Sequence, residues 1–321
     1  MSLMRGFWWP LIWAMAELLS EDLQMVQQQD KDQPAGLLMA VAAYFMWGLL
    51  PFYMKAVDHV PAVEIVAHRI IWAVPVAALV LIALRRTRDL REALRSPRML
   101  AMAAVTAALI SVNWAIYVYA VVSGQALQAA LGYYINPLFS ILLGAALLGE
   151  RLTRMQSVAV ALAAAAVVIL TVEAGALPWP ALGMLLTFGF YAFFKKWLSI
   201  GPNQGFLLEV LILLPFALGY LGYLQATGMS VFLDSWRTFG LLLLAGPVTA
   251  IPLIFYANGA KRIRLSTAGI LQYIAPTMIF LCAVFAFGEE FSGAKLVAFP
   301  MIWAALIVYS VPMLRQMREK P

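Results

Sequence analysis

The chain has 321 residues, of which 64% are hydrophobic and only 12% charged, with a mean hydropathy of +0.86. Soluble domains carry about 25% charged residues, so this composition excludes a water-soluble globular fold and specifies an integral membrane protein. The net charge of +6 lies in short segments between apolar runs, which argues against nucleic acid as a partner, and a single cysteine, Cys282, excludes an intramolecular disulfide and a cysteine metal cluster.

Residues 1–35 read as an N-terminal leader distinct from the rest. Within it, residues 1–24 have three readings: a signal peptide with Ala14-Met15-Ala16 as its cleavage site, a short interfacial helix carrying Trp8, Trp9 and Trp13, or residues absent from a native product that starts at Met25. Ten apolar segments follow, over 36–56, 62–84, 99–122, 125–148, 155–174, 178–198, 204–224, 238–258, 265–287 and 294–314. Each suits a membrane-crossing helix, which needs about 20 apolar residues. The expected fold is therefore all-α with ten transmembrane helices. Residues 316–321 form a short tail.

The fourth segment, LQAALGYYINPLFSILLGAALLGE, sets the pattern. Gly132, Asn136, Ser140 and Gly144 recur every fourth position, so small or polar groups share one helix face that permits close approach. Pro137 removes a backbone donor mid-span, and a local break is expected there. The pattern returns at an offset of 139 residues, where Tyr117, Ala129, Tyr134, Ile135, Pro137, Leu142, Gly149 and Glu150 meet Tyr256, Ala268, Tyr273, Ile274, Pro276, Leu281, Gly288 and Glu289. Pro276 is the expected partner break. We read an internal repeat, 36–174 against 175–315. Five spans per half make the halves enter the membrane from opposite sides, an inverted-topology plan common among secondary transporters.

Lys and Arg set the orientation. With the N-terminus inside, 18 of the 22 basic residues fall on the cytoplasmic side, including Arg85, Arg86, Arg88, Arg91, Arg95 and Arg98. Both termini are then cytoplasmic.

Ionisable groups inside spans are costly and are paired or functional. Span two holds Glu64, His68 and Arg69, and span seven holds Glu209. Glu64 and His68 lie one turn apart and can meet. Arg69 and Glu209 occupy matching places in the two halves, so they are expected to face one cavity and interact. Glu209 is the candidate for exchanging protons, the candidate coupling ion. A structural ion pair is the bland alternative for these charges. Polar and aromatic residues placed mid-span suit a substrate cavity: Trp47, Asn113, Tyr117, Tyr134, Asn136, Gln272 and Tyr273. Tyr44, Tyr53 and Tyr223 read as interfacial aromatics. Spans five and ten, the most uniformly apolar, suit scaffold or a homodimer contact. No motif of a hydrolase, metalloprotease or P-loop ATPase occurs, His59 and His68 have no metal-ligand spacing, and no cofactor or metal is expected.

The stretches AAYFMWGLLPFYMK, EIVAHRIIW, NWAIYVYAV, LGYYINPL, LLGERLTRMQ, LSTAGILQYIAPTMIFL and FGEE resemble the RarD-type transporters of the EamA branch of the drug/metabolite transporter superfamily. The likeness runs from about Gly36 to Arg315. It implies ten helices in two inverted five-helix repeats and an inner-membrane permease. The expected function is a secondary transporter that moves a small organic molecule, drug or metabolite, by alternating access. An intramembrane enzyme and a channel are the alternatives.

Overall fold

In the computed structural model the described residues are 33–83, 87–148, 152–195, 200–260, 262–263 and 265–319. Of the leader expected over residues 1–35, residues 1–32 lie outside them, as do the Gly149–Glu150 pair of the repeat and Arg85, Arg86, Arg151, Lys196, Lys261, Arg264 and Lys320, whereas Pro34 and Ala35 already belong to the first helix.

The described chain is helical: α1 Pro34–Ala56, α2 Ala62–Ala83, α3 Thr87–Leu94, α4 Pro97–Val122, α5 Ala126–Leu148, α6 Arg154–Ala174, α7 Trp179–Lys195, α8 Pro202–Ala226, α9 Trp236–Ala260, α10 Leu265–Leu271, α11 Ile274–Leu281 and α12 Lys295–Glu319. A π-helical turn, Cys282–Ala286, continues α11. Eight helices among the described residues are long and apolar enough to cross a membrane. The sequence marks where they start. Pro34, Pro97 and Pro202 stand in first turns, where a missing N–H costs nothing. Ser96 Oγ accepts from the Met99 N–H at 3.3 Å, and Thr153 with Gln156 forms a reciprocal capping box. Gly175 ends α6 in the left-handed region that favours glycine, at φ +64°.

Proline does not break these helices as the sequence suggested. α5 runs unbroken through Pro137, and Pro51, Pro75, Pro215, Pro247 and Pro252 also lie inside continuous helices. A proline removes one donor, and neighbouring packed helices tolerate the loss. The break lies at Gln272–Tyr273, between α10 and α11 and ahead of Pro276. There the Gln272 amide donates to the Gly269 carbonyl at 2.9 Å, and the Tyr273 N–H reaches Ile270 O three residues back rather than four. Side-chain bonding to the backbone competes with the helical ladder and adds to the donor missing at Pro276. In α5 Ser140 Oγ donates to the Asn136 carbonyl at 3.1 Å beside Pro137, and the helix stays continuous.

Apolar surface faces outward and polar groups face inward, the reverse of a soluble protein. Leu38, Leu79, Val172, Phe216 and Phe285 are exposed, while Glu64, His68, Arg69, Asn113, Asn136 and Glu209 are buried. In packing, α1 lies against α9 and α11, and α7 lies against α4 and α5. The α2 helix packs on α8 and α9, α4 also meets α8, α5 meets α11, and α6 meets α12. Spans five and ten of the sequence reading thus pack on each other.

Close crossings depend on small residues. A Cβ on Gly132 would stand 2.8 Å from the Ala181 carbonyl of α7, and one on Gly259 would stand 2.8 Å from the Ala40 nitrogen of α1. At Gly246 a Cβ would run into the Trp72 carbonyl of α2, which is backbone and cannot swing away. Gly246→Ala should therefore destabilise the purified protein by about 1–3 kcal/mol through overpacking. Gly240→Ala, with open space around it on the same helix, should be neutral or slightly stabilising. Thermal unfolding of both variants in detergent checks this, and equal midpoints would refute the crossing as a packing constraint.

Candidate functional site

The most unusual side chain in the interior is Arg69 on α2, 4% exposed. Its Nε donates to Thr249 Oγ1 of α9 at 2.9 Å, and its guanidinium lies over the Trp114 ring of α4, 4.7 Å from the centroid. Thr249 is itself fixed, its hydroxyl donating to Ala245 O at 2.7 Å. Tyr53, Tyr117 and Tyr133 lie within electrostatic reach of the charge. The Nη1 of Arg69 and the hydroxyl of Tyr117 are buried with no hydrogen-bond partner. Tyr117 stacks near Tyr133, centroids 6.0 Å apart, and Tyr53 donates to Leu241 O at 2.9 Å. Five helices, α1, α2, α4, α5 and α9, thus meet around one cation.

Arg69 and Glu209 do not pair. Glu209 Oε1 accepts from Lys195 Nζ at 2.5 Å, and Tyr191 Oη lies 3.4 Å from Oε2, both partners being on α7. Lys195 ends α7 and Glu209 lies 14 residues further on, inside α8. Lys195 reaches inward along Tyr191, and its ammonium neutralises the carboxylate close to the bundle end. Glu64 and His68 do not meet either. Glu64 Oε1 accepts from Ser230 Oγ at 2.9 Å and from the Val231 N–H at 3.2 Å, in the loop after α8. His68 Nδ1 accepts from Trp72 Nε1 at 3.1 Å, and its ring stacks on Phe232 at 4.4 Å. The loop draws the two side chains to itself.

The cavity residues expected from sequence do not share one site. Tyr117 belongs to the Arg69 cluster. Trp47 forms an aromatic trio with Tyr44 and Tyr256, centroids 5.5–5.6 Å apart, so Tyr44 is interior rather than an interfacial aromatic. Asn113 bridges helices, its amide donating to Met184 O at 3.1 Å and Thr187 Oγ1 at 3.0 Å, while Asn136 keeps its Oδ1 buried without a partner. Tyr134 and Tyr273 line a mostly apolar groove of about 500 Å³ with Thr277, Phe280, Trp303 and Ser310, and Tyr134 Oη donates to Thr277 Oγ1 at 2.9 Å. Gln272 is spent on its own helix. Sequence reasoning missed Lys195, read there only as an orientation signal, and Thr249. It also placed Tyr53 at the interface. Its place 14 residues before Glu209 was the available signal for Lys195.

One end of the bundle is tied by carboxylates across the chain. Glu289, after the π turn, accepts from the Ala126 N–H at 2.6 Å and the Leu127 N–H at 2.9 Å, the orphan donors that open α5. Glu173 accepts from the Ala294 N–H at 2.7 Å just before α12. His59 Nε2 and Thr238 Oγ1 lie 3.0 Å apart at the same end. Anions suit helix N-termini. Among the described residues no His, Cys, Asp and Glu cluster could hold a metal.

Buried cations and carboxylates enclosed by membrane-length helices define a multi-pass membrane protein of the transporter kind. The EamA-like transporter family model matches residues 34–172. "Protein RarD" of Streptomyces exfoliatus is 42% identical over 90% of this chain and 92% of its own, and "Uncharacterized transporter YojE" of Bacillus subtilis is 42% identical over 88% and 95%. This chain belongs to the EamA family and, within it, to the RarD-type permeases. A solved crystal structure at 20% identity, covering 88% of this chain and 99% of its own with a TM-score of 0.57, has a similar fold.

The Lys195–Glu209 pair generates a prediction. Lys195→Met should cost about 3–5 kcal/mol because it strands a buried carboxylate, and the Lys195→Met/Glu209→Met double variant should recover most of that. A double-mutant cycle on folded yield and thermal midpoint checks it, and strict additivity would rule out the coupling.

Glu289 generates a second. Burial holds its carboxyl above the ordinary range, and the Leu127 and Ala126 N–H donors, with Lys295 and Lys55, only partly offset this. A raised acid makes its contribution to stability fully present below the ordinary carboxyl range and loses it as pH rises through the raised value. Glu289→Ala should remove that pH dependence and cost about 0.5–2 kcal/mol by leaving two helix N–H groups without acceptor. Unfolding midpoints between acid and neutral pH, compared for both proteins, test it. Parallel curves would overturn the assignment.

Proposed function

We propose that this chain is a secondary transporter of a small organic molecule, built from ten spans in two inverted halves, 36–174 and 175–315, and working by alternating access in the inner membrane. The observation that carries the reading is reciprocal packing. If α1 corresponds to α7, α2 to α8, α4 to α9, α5 to α10–α11 and α6 to α12, the most extensive cross-half contacts have their mirrors. The α1·α9 contact mirrors α7·α4, α2·α9 mirrors α8·α4, and α1·α11 mirrors α7·α5, while α2·α8, α5·α11 and α6·α12 lie on the pseudo-axis. Two halves related this way can exchange conformations and open one central site to either side.

Orientation follows the basic residues, with both termini cytoplasmic. The end tied by Glu289, Glu173 and His59 is then the outer one. Protons are the proposed coupling ion. Because Lys195 balances Glu209, we propose Glu64, buried with Oε2 unpartnered and held by Ser230 and Val231, as the carboxylate on which coupling depends.

The test is counterflow in proteoliposomes, with substrates drawn from metabolites that differ between deletion and overexpression strains. Saturable exchange that depends on pH in the wild type and loses that dependence in Glu64→Gln is expected. Non-saturating flux without exchange would make the protein a channel, and a chemically altered substrate would make it an enzyme. A cysteine at position 89, from Asp89→Cys, should resist impermeant thiol reagents in intact cells, and rapid labelling would invert the orientation.

A further inference from the structure

We propose that Arg69 and Tyr117 form the anion receptor of the transport site, and that the substrate is a small organic monocarboxylate with an apolar or aromatic body. This rests on the transporter reading and names its substrate class. Three observations converge on it.

The guanidinium is oriented, not merely buried. Thr249 Oγ1 holds Nε at 2.9 Å, and Trp114 covers one face with the ring centroid at 4.7 Å. On the Nη side of the planar fork, Nη1 is buried with no partner. Tyr117, 2% exposed and within electrostatic reach, supplies a second unpartnered hydroxyl. A fork edge and a hydroxyl match the two oxygens of a carboxylate. The hydroxyls of Tyr53 and Thr249 are already spent on Leu241 O and Ala245 O, so they define walls rather than donors.

The charge is also unbalanced. Among the described residues the ion pairs Lys55–Asp58 and Lys195–Glu209 leave Arg69 out, and Glu64 is engaged by the 230–231 backbone and hydroxyl. A structural arginine in a span is saturated by a carboxylate or by carbonyls. Arg69 instead keeps Nη1 free, beside rings that suit an apolar body. It stands where helices of both halves meet: α2, α4 and α5 from the first, α9 from the second. A ligand there draws on contacts that change when the halves move.

The experiment is isothermal titration calorimetry of the purified full chain in detergent, using benzoate, its neutral isostere benzamide and the cation benzylamine. Acetate, phenylacetate and indole-3-acetate extend the series, and chloride is the inorganic control. Carboxylates should bind saturably, and benzamide at least about tenfold more weakly, the loss expected for a charged hydrogen bond. Tyr117→Phe should weaken benzoate several-fold and leave benzamide unchanged. Arg69→Gln should abolish the preference. Arg69→Lys keeps the charge without the fork and should give intermediate binding, which covers the case in which the Gln variant fails to fold. No saturable response to any carboxylate, equal binding of benzamide, or chloride binding as tightly as benzoate would overturn the receptor. Counterflow of the best carboxylate in proteoliposomes separates the two readings. Binding without movement would sink the transporter and keep the receptor. Movement of a neutral solute unaffected by Arg69→Gln would sink the receptor and keep the transporter.

Discussion

Lipid cannot hydrogen-bond to a peptide group, and this constraint governs the rest of the structure. Every backbone donor and acceptor in the hydrocarbon must be satisfied within the protein. Continuous helices do this at least cost, which is why proline after proline is absorbed without a break. Departures then cluster where another group substitutes. At Gln272–Tyr273 a side-chain amide takes over a carbonyl, and the π turn that follows re-registers the last stretch before Glu289. This irregular span packs against the unbroken α5.

The second consequence is that helices must hold together without a hydrophobic driving force between them. Lipid tails are as apolar as leucine, so association depends on close packing and on polar ties. Gly132, Gly246 and Gly259 let backbones touch at crossings between α5 and α7, α2 and α9, and α1 and α9. Asn113 and the Lys195–Glu209 pair tie α4 and α8 to α7. These contacts fix the bundle so firmly that the remaining unsatisfied polar atoms, Arg69 Nη1 and Tyr117 Oη among them, stand out as groups the packing has not used. The charges form two sets. The bundle ends use carboxylates to close helix termini and hold loops, and the middle keeps a cation in an aromatic cage.

Membership of the RarD-type permeases, all-helical architecture and the segment boundaries were legible in the chain itself. Composition alone demands helices in lipid, apolar run length gives each one, and Pro, Ser, Thr and Gly at the ends mark starts and stops. The buried charges Glu64, His68, Arg69 and Glu209 were identifiable as well, because an ionisable group in an apolar run has few uses. Partner choice was not legible. Arg69 and Glu209 match in register, yet register says which positions correspond and not which side chains touch. Lys195 at the end of α7 captures Glu209 of α8, and a loop 166 residues away in sequence captures Glu64. Pro137 shows the same limit: proline predicts a missing hydrogen bond, whereas α5 stays continuous through it. The sequence by itself determined a helical membrane permease and which residues are out of place in lipid. Only the tertiary structure decided which of those residues satisfy each other and which are left with a free donor, since helices far apart in the chain supply the partners.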